Sequence, residues 1–373
     1  MIIGIPREST TGEARVGIAP ETVAKLSKKG HKFVVEPGAG VLASFTDEQY
    51  RNAGAEEGDA WAAELVVKVR PPSDSEVARV KSGAVLISFL YPLLQHDLVR
   101  ALAARKATAI SVDMIPRTTL AQSMDALSSQ ANLAGYKAVL MAAERLPKFF
   151  PMLMTAAGTI PPAKVLILGA GVAGLQAIAT ARRLGAVVEV FDVRAVVKEQ
   201  VESLGGKFIA VEAAEDGAGS GGYAKETSED YQKKQKALIA AHIAKSDVVV
   251  TTALIPGKKA PTLITGDMVR AMQPGSVIVD LAAEQGGNCE WTKPGEEVIA
   301  DDVTIIGHMN IPSTMALHAS LLYSRNMEKL LTHLLTKEGA WKWDLAEEIA
   351  AGCVIVKDGE IVNAKVREAL GAK

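Results

Sequence analysis

The sequence predicts an α/β protein with two doubly wound, parallel-sheet domains separated by a cleft. Short runs rich in β-branched residues alternate with amphipathic helical stretches along most of the chain. A length of 373 residues fits two domains of about 100–200 residues each. A connector at 150–163, which contains three prolines and a glycine, divides the alternating pattern into two halves.

The first half of the chain supplies one α/β unit. Its strand candidates are MIIGI, HKFVVE, ELVVKV, AVLISF and ATAISVDM. The helix candidates are ETVAKLSKKG, which ends on Gly30, DSEVARVKS and HDLVRALAARK. Because strands and helices alternate, we expect a parallel sheet that is covered on both faces.

The second half begins with a long helix predicted at about 126–146 and continues after the connector. Its strand candidates are KVLIL, DVVVTTAL, SVIVDLA and VTIIGH. Apolar residues at helical spacing predict a helix over 315–335 that returns to the first unit, and Asp358-Gly359 predicts a small hairpin. We expect a discontinuous N-terminal domain of residues 1–126 plus 318–373 and a second domain of residues 127–317.

The segment 212–234 is rich in glycine and charged residues and almost without aliphatic ones. Such a composition cannot bury enough apolar surface to belong to a core. We expect a mobile surface loop that carries Tyr223 beside Gly221 and Gly222. Composition alone favours a solvated linker over a lid.

Composition also excludes several classes of function. The formal net charge of -2 gives no electrostatic case for binding nucleic acid or an anionic membrane. The two cysteines, Cys289 and Cys353, lie far apart and indicate neither a disulfide framework nor a metal cluster. The N-terminus shows no signal-peptide pattern, and the apolar run at 84–94 is shorter than the ~20 residues that span a bilayer. We expect a soluble chain.

The strongest motif is a strand at 164–168 followed by Gly169, Gly171 and Gly174, a helix, and a second strand that ends at Asp192. Gly169 permits the tight turn, Gly171 lets the backbone approach a pyrophosphate, and Gly174 allows close helix–strand packing. The N-terminus of the helix offers free N–H groups to the phosphates. Asp192 can accept hydrogen bonds from the adenosine ribose. Together these features predict a Rossmann-like dinucleotide site.

Two residues at the end of the second strand bear on the choice of nucleotide. A carboxylate at Asp192 would repel a 2′-phosphate and so favours NAD, whereas Arg194 could pair with that phosphate. Because Asp192 lies at the strand end itself, we expect NAD(H).

A polar loop with an unusual composition lies at 117–130. It contains Arg117, Gln122, Asp125 and Ser128 but no His, Cys or Lys. From its residues alone it is a polar loop that caps the following helix.

Several motifs follow one another through most of the chain, namely GIPRES, GEARVGIAP, EPGAG, RTTLAQSMDALSSQANLAGY, MTAAGTIPPAKVLILGAGVAGLQAIATARRLGA, GGYAKE, TTALIPGKKAP and MQPGSVIVDLAAEQGGN. In this order they closely resemble the NAD(H)-binding component, domain I, of the proton-translocating NAD(P) transhydrogenases. The soluble alanine dehydrogenases are related to that family and share its two-domain fold.

The resemblance implies a set of site residues. In the polar loop it implies that Arg117, Gln122, Asp125 and Ser128 hold the nicotinamide and carry the catalytic role. Cofactor contacts are also implied at Ser123, Met124, Gly169, Gly171, Val172, Ala173, Gly174, Asp192, Val193, Arg194, Gln235, Ala253 and Leu254, and at Gly222 and Tyr223 of a mobile loop.

The resemblance further implies a function. NADH bound by this chain would pass hydride directly to NADP⁺ held on a partner subunit, in an enzyme of the Re/Si-specific type. A separate membrane subunit would couple this transfer to proton translocation. The chain is expected to form a homodimer, without nucleic acid or metal, and to lie peripherally on the inner face of the bacterial cytoplasmic membrane through its partners.

Two other functions stay open at this point. An alanine dehydrogenase would need a Lys, a His and an Asp where this chain has Arg70, Tyr91 and Glu284, although Arg15 and Lys68 are present. Tyr91, with an ordinary pKa near ~10, is a poor general acid or base at neutral pH. The third function is a module that binds NAD(H) and reports on it without chemistry.

Two further side chains are weaker candidates. His308 follows a predicted strand, where either a contact in the cleft or a structural hydrogen bond is consistent with the sequence. Cys289 has no histidine at a supporting spacing, so a nucleophilic role is not favoured.

Overall fold

The structure is a computed structural model that describes residues 1–211, 228–255 and 257–371. The chain divides into two compact units. Unit 1 comprises Met1–Gln130 and Pro312–Lys373, and unit 2 comprises Ala131–Ile311.

The strands are short and are numbered here in chain order. They are β1 (Ile2–Ile5), β2 (Lys32–Val35), β3 (Ala55–Glu57), β4 (Leu65–Val67), β5 (Val85–Ser88), β6 (Thr108–Ser111), β7 (Leu153–Thr155), β8 (Gly158–Ile160), β9 (Lys164–Leu168), β10 (Val187–Phe191), β11 (Lys207–Ile209), β12 (Val248–Thr251), β13 (Val277–Asp280), β14 (Glu297–Ala300), β15 (Val303–Ile306), β16 (Val354–Lys357) and β17 (Glu360–Ile361).

The helices are numbered in the same way. They are α1 (Pro20–Ser27), α2 (Asp47–Asn52), α3 (Asp74–Arg79), α4 (His96–Ala104), α5 (Ala126–Arg145), α6 (Val172–Arg183), α7 (Lys198–Ser203), α8 (Glu229–Ile243), α9 (Gly266–Arg270), α10 (Ala316–Leu334), α11 (Glu348–Cys353) and α12 (Ala364–Ala369).

The sheet of unit 1 has the strand order β17-β16-β6-β5-β4-β1-β2-β3. From β6 to β3 all neighbours are parallel, as the alternation of strands and helices predicts. Successive side chains of β5 point to opposite faces of the sheet. Ile87 accordingly packs in the hydrophobic cluster on one face, and Leu86 packs in the cluster on the other. Both faces of this sheet are therefore covered.

Helix α10 belongs to unit 1 although it follows the whole of unit 2 in sequence. Its Ser320 and Ser324 hydroxyls accept hydrogen bonds from the backbone N–H groups of Val16 and Ala19, at 3.0 and 2.8 Å. Its Tyr323 hydroxyl donates to the carbonyl of Lys68 at 2.8 Å. These bonds and its buried apolar face fix α10 against the loops that follow β1 and β4.

The sheet of unit 2 has the order β11-β10-β9-β12-β13-β15-β14. It is parallel except for β14, which pairs antiparallel with β15. After β9 the chain builds one side of the sheet through β10 and β11, and with β12 it crosses to the other side. The carboxyl edge between β9 and β12 is therefore a topological switch point, where open α/β sheets bind ligands.

Several short elements were not predicted from the sequence. The connector at 150–163 contains the antiparallel pair β7 and β8, whose residues are mostly exposed and lack an apolar period. Strand β16 does form the predicted hairpin with β17 through Asp358 and Gly359, whose φ angles of 51° and 91° suit a tight turn. However, β16 also joins the large sheet antiparallel to β6.

The loop predicted at 212–234 ends earlier than the sequence suggested. Helix α8 begins at Glu229, where the Ser228 hydroxyl accepts a hydrogen bond from the N–H of Tyr231. Capping of this kind starts a helix even in a polar stretch. The remainder of the predicted loop, 212–227, lies outside the described residues.

Candidate functional site

The glycine loop joins β9 to α6 at the carboxyl edge of the unit 2 sheet. Gly169 has a φ of 106°, a backbone angle that residues other than glycine rarely adopt. Gly171 precedes α6, and among the described residues no atom lies within 4 Å of a Cβ added to it. The first N–H groups of α6, from Val172 onward, are therefore not covered by that part of the chain and can receive an anionic group.

Helix α6 begins in close contact with neighbouring backbone. A Cβ on Gly174 would lie 1.9 Å from the carbonyl oxygen of Gly169. A Cβ on Gly135, in α5, would lie 2.0 Å from the carbonyl oxygen of Ala173. A Cβ on Gly169 would lie 2.5 Å from the hydroxyl of Thr252. Glycine is thus needed on both sides of this helix start, and Gly135 was not identified from the sequence.

Asp192 follows β10 and is only 7% exposed. Its carboxylate accepts hydrogen bonds from the backbone N–H groups of Ala170 and Arg194, at 2.7 and 2.9 Å. The guanidinium of Arg194 adds two more, from Nε at 2.8 Å and from Nη2 at 2.6 Å. These bonds raise the pKa of Arg194 above its usual range. The two residues with opposite predicted effects on nucleotide choice are therefore an ion pair.

The segment that follows β12 is held by a side chain from a later loop. Ala253 donates its N–H to Asn288 Oδ1 at 3.1 Å, and Asn288 Nδ2 donates to the carbonyls of Ala253 and Pro261 at 2.9 and 2.8 Å. Asn288 donates its own N–H to the buried carboxylate of Asp280 at 2.7 Å. Asn288, itself held by Asp280, therefore positions Ala253, and neither Asn288 nor Asp280 was identified from the sequence.

The other residues of unit 2 that are predicted to contact the cofactor are Val193, Gln235, Gly222 and Tyr223. Gln235 is half-buried on α8, and Val193 packs against the core of the unit. Gly222 and Tyr223 lie outside the described residues, so their predicted roles do too.

In unit 1, the structure brings two of the four polar-loop residues together. Asp125 precedes α5, and its Oδ1 accepts the N–H of Ser128 at 2.8 Å while its Oδ2 accepts the Ser128 hydroxyl at 2.5 Å. This arrangement is an N-terminal helix cap. Arg117 and Gln122 are exposed side chains of the same loop. Convergence of all four on one ring stays a prediction.

The polar loop is fastened by a residue far away in sequence. Asn326 of α10 donates from Nδ2 to the carbonyl of Ser123 at 2.9 Å, and its Oδ1 accepts the hydroxyl of Ser129 at 2.8 Å. Met124, between these contacts, is 5% exposed and packs in the core. Asn326 thus holds the loop and the first turn of α5 in one arrangement.

A buried charge cluster lies at the carboxyl edge of the unit 1 sheet. Lys68, which follows β4, has no exposed surface, and its ammonium lies 2.8 Å from Glu76 and 3.6 Å from Glu8. Burial raises the pKa of Glu8 to about 7, although Lys68 opposes this shift. The ammonium of Lys68 therefore already faces two carboxylates.

Arg15 is likewise hydrogen-bonded to side chains within the protein. Its Nε and Nη2 donate to the two carboxylate oxygens of Glu13 at 2.8 and 2.6 Å, and its Nη1 donates to Gln130 at 2.9 Å. Both members of the pair are buried. Neither Arg15 nor Lys68 presents an unsatisfied cation to a carboxylate substrate.

The positions that separate this chain from alanine dehydrogenases have local structural partners. Tyr91 has a φ of 48°, and its N–H and that of Leu90 donate to Asp113 at 3.3 and 3.0 Å. In unit 2, Glu284 accepts the N–H of Asn310 at 2.6 Å. These contacts hold the loops that follow β5 and β13.

The two weaker candidates, Cys289 and His308, differ in their burial. Cys289 is 2% exposed, and burial raises the pKa of its thiol to about 11, so it is not a reactive thiolate at neutral pH. His308 is half-buried after β15.

Clusters of metal-binding side chains and membrane-spanning helices are both absent from residues 1–211, 228–255 and 257–371. No group of three or more His, Cys, Asp or Glu side chains there could hold a metal ion. None of the helices there is long and apolar enough to cross a membrane.

Comparison with known proteins gives matches over almost the whole chain. Residues 4–134 match the N-terminal domain, and residues 138–364 the C-terminal domain, described as alanine dehydrogenase/PNT. The chain is 50% identical over 376 residues to the first portion of the NAD(P) transhydrogenase subunit alpha of Rhodospirillum rubrum, a match that covers 97% of this chain and 98% of that protein.

Solved structures agree with these matches. A transhydrogenase structure from Sinorhizobium meliloti aligns with a TM-score of 0.85 and 44% identity, over 98% of this chain and 100% of the other. An L-alanine dehydrogenase structure aligns with a TM-score of 0.81 and 27% identity, over 100% and 99% of the two chains.

The buried Glu8 predicts a specific dependence of stability on pH. Its folded pKa of about 7 exceeds the ordinary value of 4.5, so its contribution to stability is fully present below about pH 4.5 and is lost as the pH rises through 7. At ~1.4 kcal/mol per pKa unit, the loss is about 3 kcal/mol. Glu8→Gln should therefore unfold at higher denaturant concentration than wild type at pH 8 and at a similar concentration near pH 5.

Denaturant unfolding at both pH values checks this, with Glu56→Gln, an exposed carboxylate of β3, as the control for loss of one charge. A Glu8→Gln protein that is less stable than wild type at pH 8 would show that the ionised carboxylate stabilises the fold.

Proposed function

This chain belongs to the alanine dehydrogenase/PNT family, and from that premise we propose that it is the NAD(H)-binding component of a proton-translocating, Re/Si-specific NAD(P) transhydrogenase. One observation carries the proposal. The glycine loop lies at the switch point of a parallel sheet and is bonded to Asp192 at the end of the neighbouring strand β10, in a chain that is 50% identical over 97% of its length to a transhydrogenase alpha subunit.

The adenosine and pyrophosphate groups of NADH bind unit 2 in this proposal. Free N–H groups at the start of α6 donate to the pyrophosphate, and the partial positive charge of the helix N-terminus favours it. Asp192 accepts hydrogen bonds from the ribose, while Val193, Arg194, Gln235, Ala253 and Leu254 line the nucleotide. The family resemblance assigns further nucleotide contacts to Gly222 and Tyr223, which lie outside the described residues.

The nicotinamide is held by the polar loop of unit 1. Arg117, Gln122, Asp125 and Ser128 fix the ring and its carboxamide. Hydride passes from C4 of NADH to C4 of NADP⁺ on the partner subunit, giving NAD⁺ and NADPH. Such a transfer needs the reacting carbons ~3–3.5 Å apart and water excluded, but no side chain that takes up a proton. A loop without His, Cys or Lys is suited to this chemistry.

The proposal includes the assembly around the chain. Its partners are an NADP(H)-binding subunit and a membrane subunit that conducts protons, and the chain itself forms a homodimer. The chain lies on the inner face of the bacterial cytoplasmic membrane through these partners. The name of the R. rubrum relative, which marks it as one portion of a subunit alpha, supports an enzyme divided among several chains.

Oxidation of alanine is the second candidate, because the L-alanine dehydrogenase structure has the same fold over the whole chain. The residues of unit 1 disfavour it. Arg15 is already paired with Glu13, and Lys68 with Glu8 and Glu76, so neither cation is available to a carboxylate substrate. Tyr91 occupies the position where a catalytic His would be needed.

The decisive assay mixes the purified chain with an NADP(H)-binding subunit, NADH and a spectrally distinct NADP⁺ analogue. Reduction of the analogue should require both proteins, and the chain alone should not oxidise L-alanine with NAD⁺. Binding of NADH without any transfer in the mixture would favour a nucleotide-sensing module instead. Alanine oxidation by the chain alone would favour a dehydrogenase.

Replacement of Gln122 should separate binding from transfer. Gln122→Asn keeps the amide but shortens the side chain by one methylene. The nicotinamide ring should therefore lose its orientation while most contacts with NADH persist. We expect the transfer rate to fall at least about tenfold and NADH affinity to change by less than about threefold. Stopped-flow transfer and equilibrium binding measure the two effects.

Gln200→Asn, in exposed α7, is the matched control and should change neither quantity. Equal losses of rate and affinity in Gln122→Asn would mean that Gln122 contributes to binding and not to orientation.

A further inference from the structure

The carboxylate of Asp192 is already fully engaged within the protein. Four donors contact its two oxygens, namely the backbone N–H groups of Ala170 and Arg194 and the Nε and Nη2 atoms of Arg194. Oδ1 accepts from the N–H and Nε of Arg194, and Oδ2 accepts from Ala170 and from Nη2. Two of the four donors belong to a side chain that can rotate away, and two belong to the backbone.

A ribose needs the same oxygens. Its 2′- and 3′-hydroxyls would donate to Asp192 from the side that the guanidinium occupies, because the backbone donors cannot leave without breaking the glycine loop. The side chain of Arg194 keeps 14% of its surface exposed. Binding of the ribose and pairing of Arg194 with Asp192 are therefore mutually exclusive at these atoms.

We propose that Arg194 competes with the adenosine ribose for Asp192, and that this internal competition sets both the affinity for NADH and the margin by which NADH is preferred over NADPH. The inference rests on the proposed function, since it takes Asp192 as the ribose ligand. In wild type, NADH reaches its full set of contacts only in the fraction of molecules whose ion pair has opened, and its apparent affinity is reduced by that fraction.

The same geometry has the opposite effect on NADPH. The backbone N–H of Arg194 stays bonded to Asp192 Oδ1, so a displaced guanidinium remains tethered close to the ribose. A 2′-phosphate gives the guanidinium a bidentate partner, and the positive charge of the guanidinium offsets the repulsion between that phosphate and the carboxylate of Asp192. Arg194 thus weakens NADH binding and supports NADPH binding, which narrows the selectivity that Asp192 alone would give.

The test measures dissociation constants for NADH and NADPH with the full chain. Arg194→Gln should bind NADH about three- to tenfold more tightly and NADPH at least about tenfold more weakly than wild type. Arg194→Lys, which keeps a cation without the planar fork, should fall between wild type and Arg194→Gln for both nucleotides. Arg183→Gln, at the far end of α6, removes an exposed positive charge from the same unit and should leave both constants unchanged.

A double-mutant cycle assigns the effect to Asp192. In an Asp192→Asn background, the gain in NADH affinity from Arg194→Gln should disappear, because no carboxylate remains to be freed. Unchanged or weaker NADH binding by Arg194→Gln overturns the proposal, as does an equal gain in the Asp192→Asn background. Thermal unfolding of each variant checks that it folds. If Arg194→Gln does not fold, Arg194→Lys still tests the proposal.

Failure of the proposed function has a different signature. A wild-type chain that binds neither nucleotide, or that binds NADH without transferring hydride to the partner's NADP⁺, contradicts the function whatever the ratio of constants in the variants.

Discussion

The start of helix α6 can lie where it does only because three nearby residues have no side chain. Gly174 meets the carbonyl of Gly169, Gly135 meets the carbonyl of Ala173, and Gly169 meets the hydroxyl of Thr252, each closer than a Cβ would allow. These contacts fasten one helix start to β9, to α5 and to the loop after β12. They also fix the position of the N–H groups that follow Gly171 at the start of α6.

Buried carboxylates fasten the loops around this point. Asp192, after β10, binds the N–H of Ala170 inside the glycine loop. Asp280, the last residue of β13, binds the N–H of Asn288, which in turn holds both backbone groups of Ala253. In each case an acid at a strand end fixes a loop that begins at another strand. Unit 1 uses its buried charges differently, because its buried cations Arg15 and Lys68 are paired with Glu13, Glu8 and Glu76.

Much of the fold could be predicted because periodic patterns are local. The parallel order of the strands, α5, α10 and the hairpin at Asp358 follow from such patterns, and the family resemblance carried by the motifs is confirmed by the comparisons. The residues that position the site could not be found in this way. Gly135 acts on the start of another helix, and Asn288 and Asn326 act on segments that are 35 and 203 residues away, so nothing in their own neighbourhood marks them. The pairing of Asp192 with Arg194 is local, but the sequence shows only their spacing and not their contact.

If a pyrophosphate binds at the N-terminus of α6, its binding should be sensitive to a side chain added at Gly171. A Cβ at this residue meets no atom of residues 1–211, 228–255 and 257–371 within 4 Å, and its φ of -76° and ψ of -171° suit alanine, so Gly171→Ala should fold with an unchanged midpoint of thermal unfolding. The added methyl group would stand where the phosphates must approach the backbone. Titration with NADH should therefore show at least about a tenfold loss of affinity relative to wild type. Binding of NADH to a folded Gly171→Ala protein as tightly as to wild type would contradict the account.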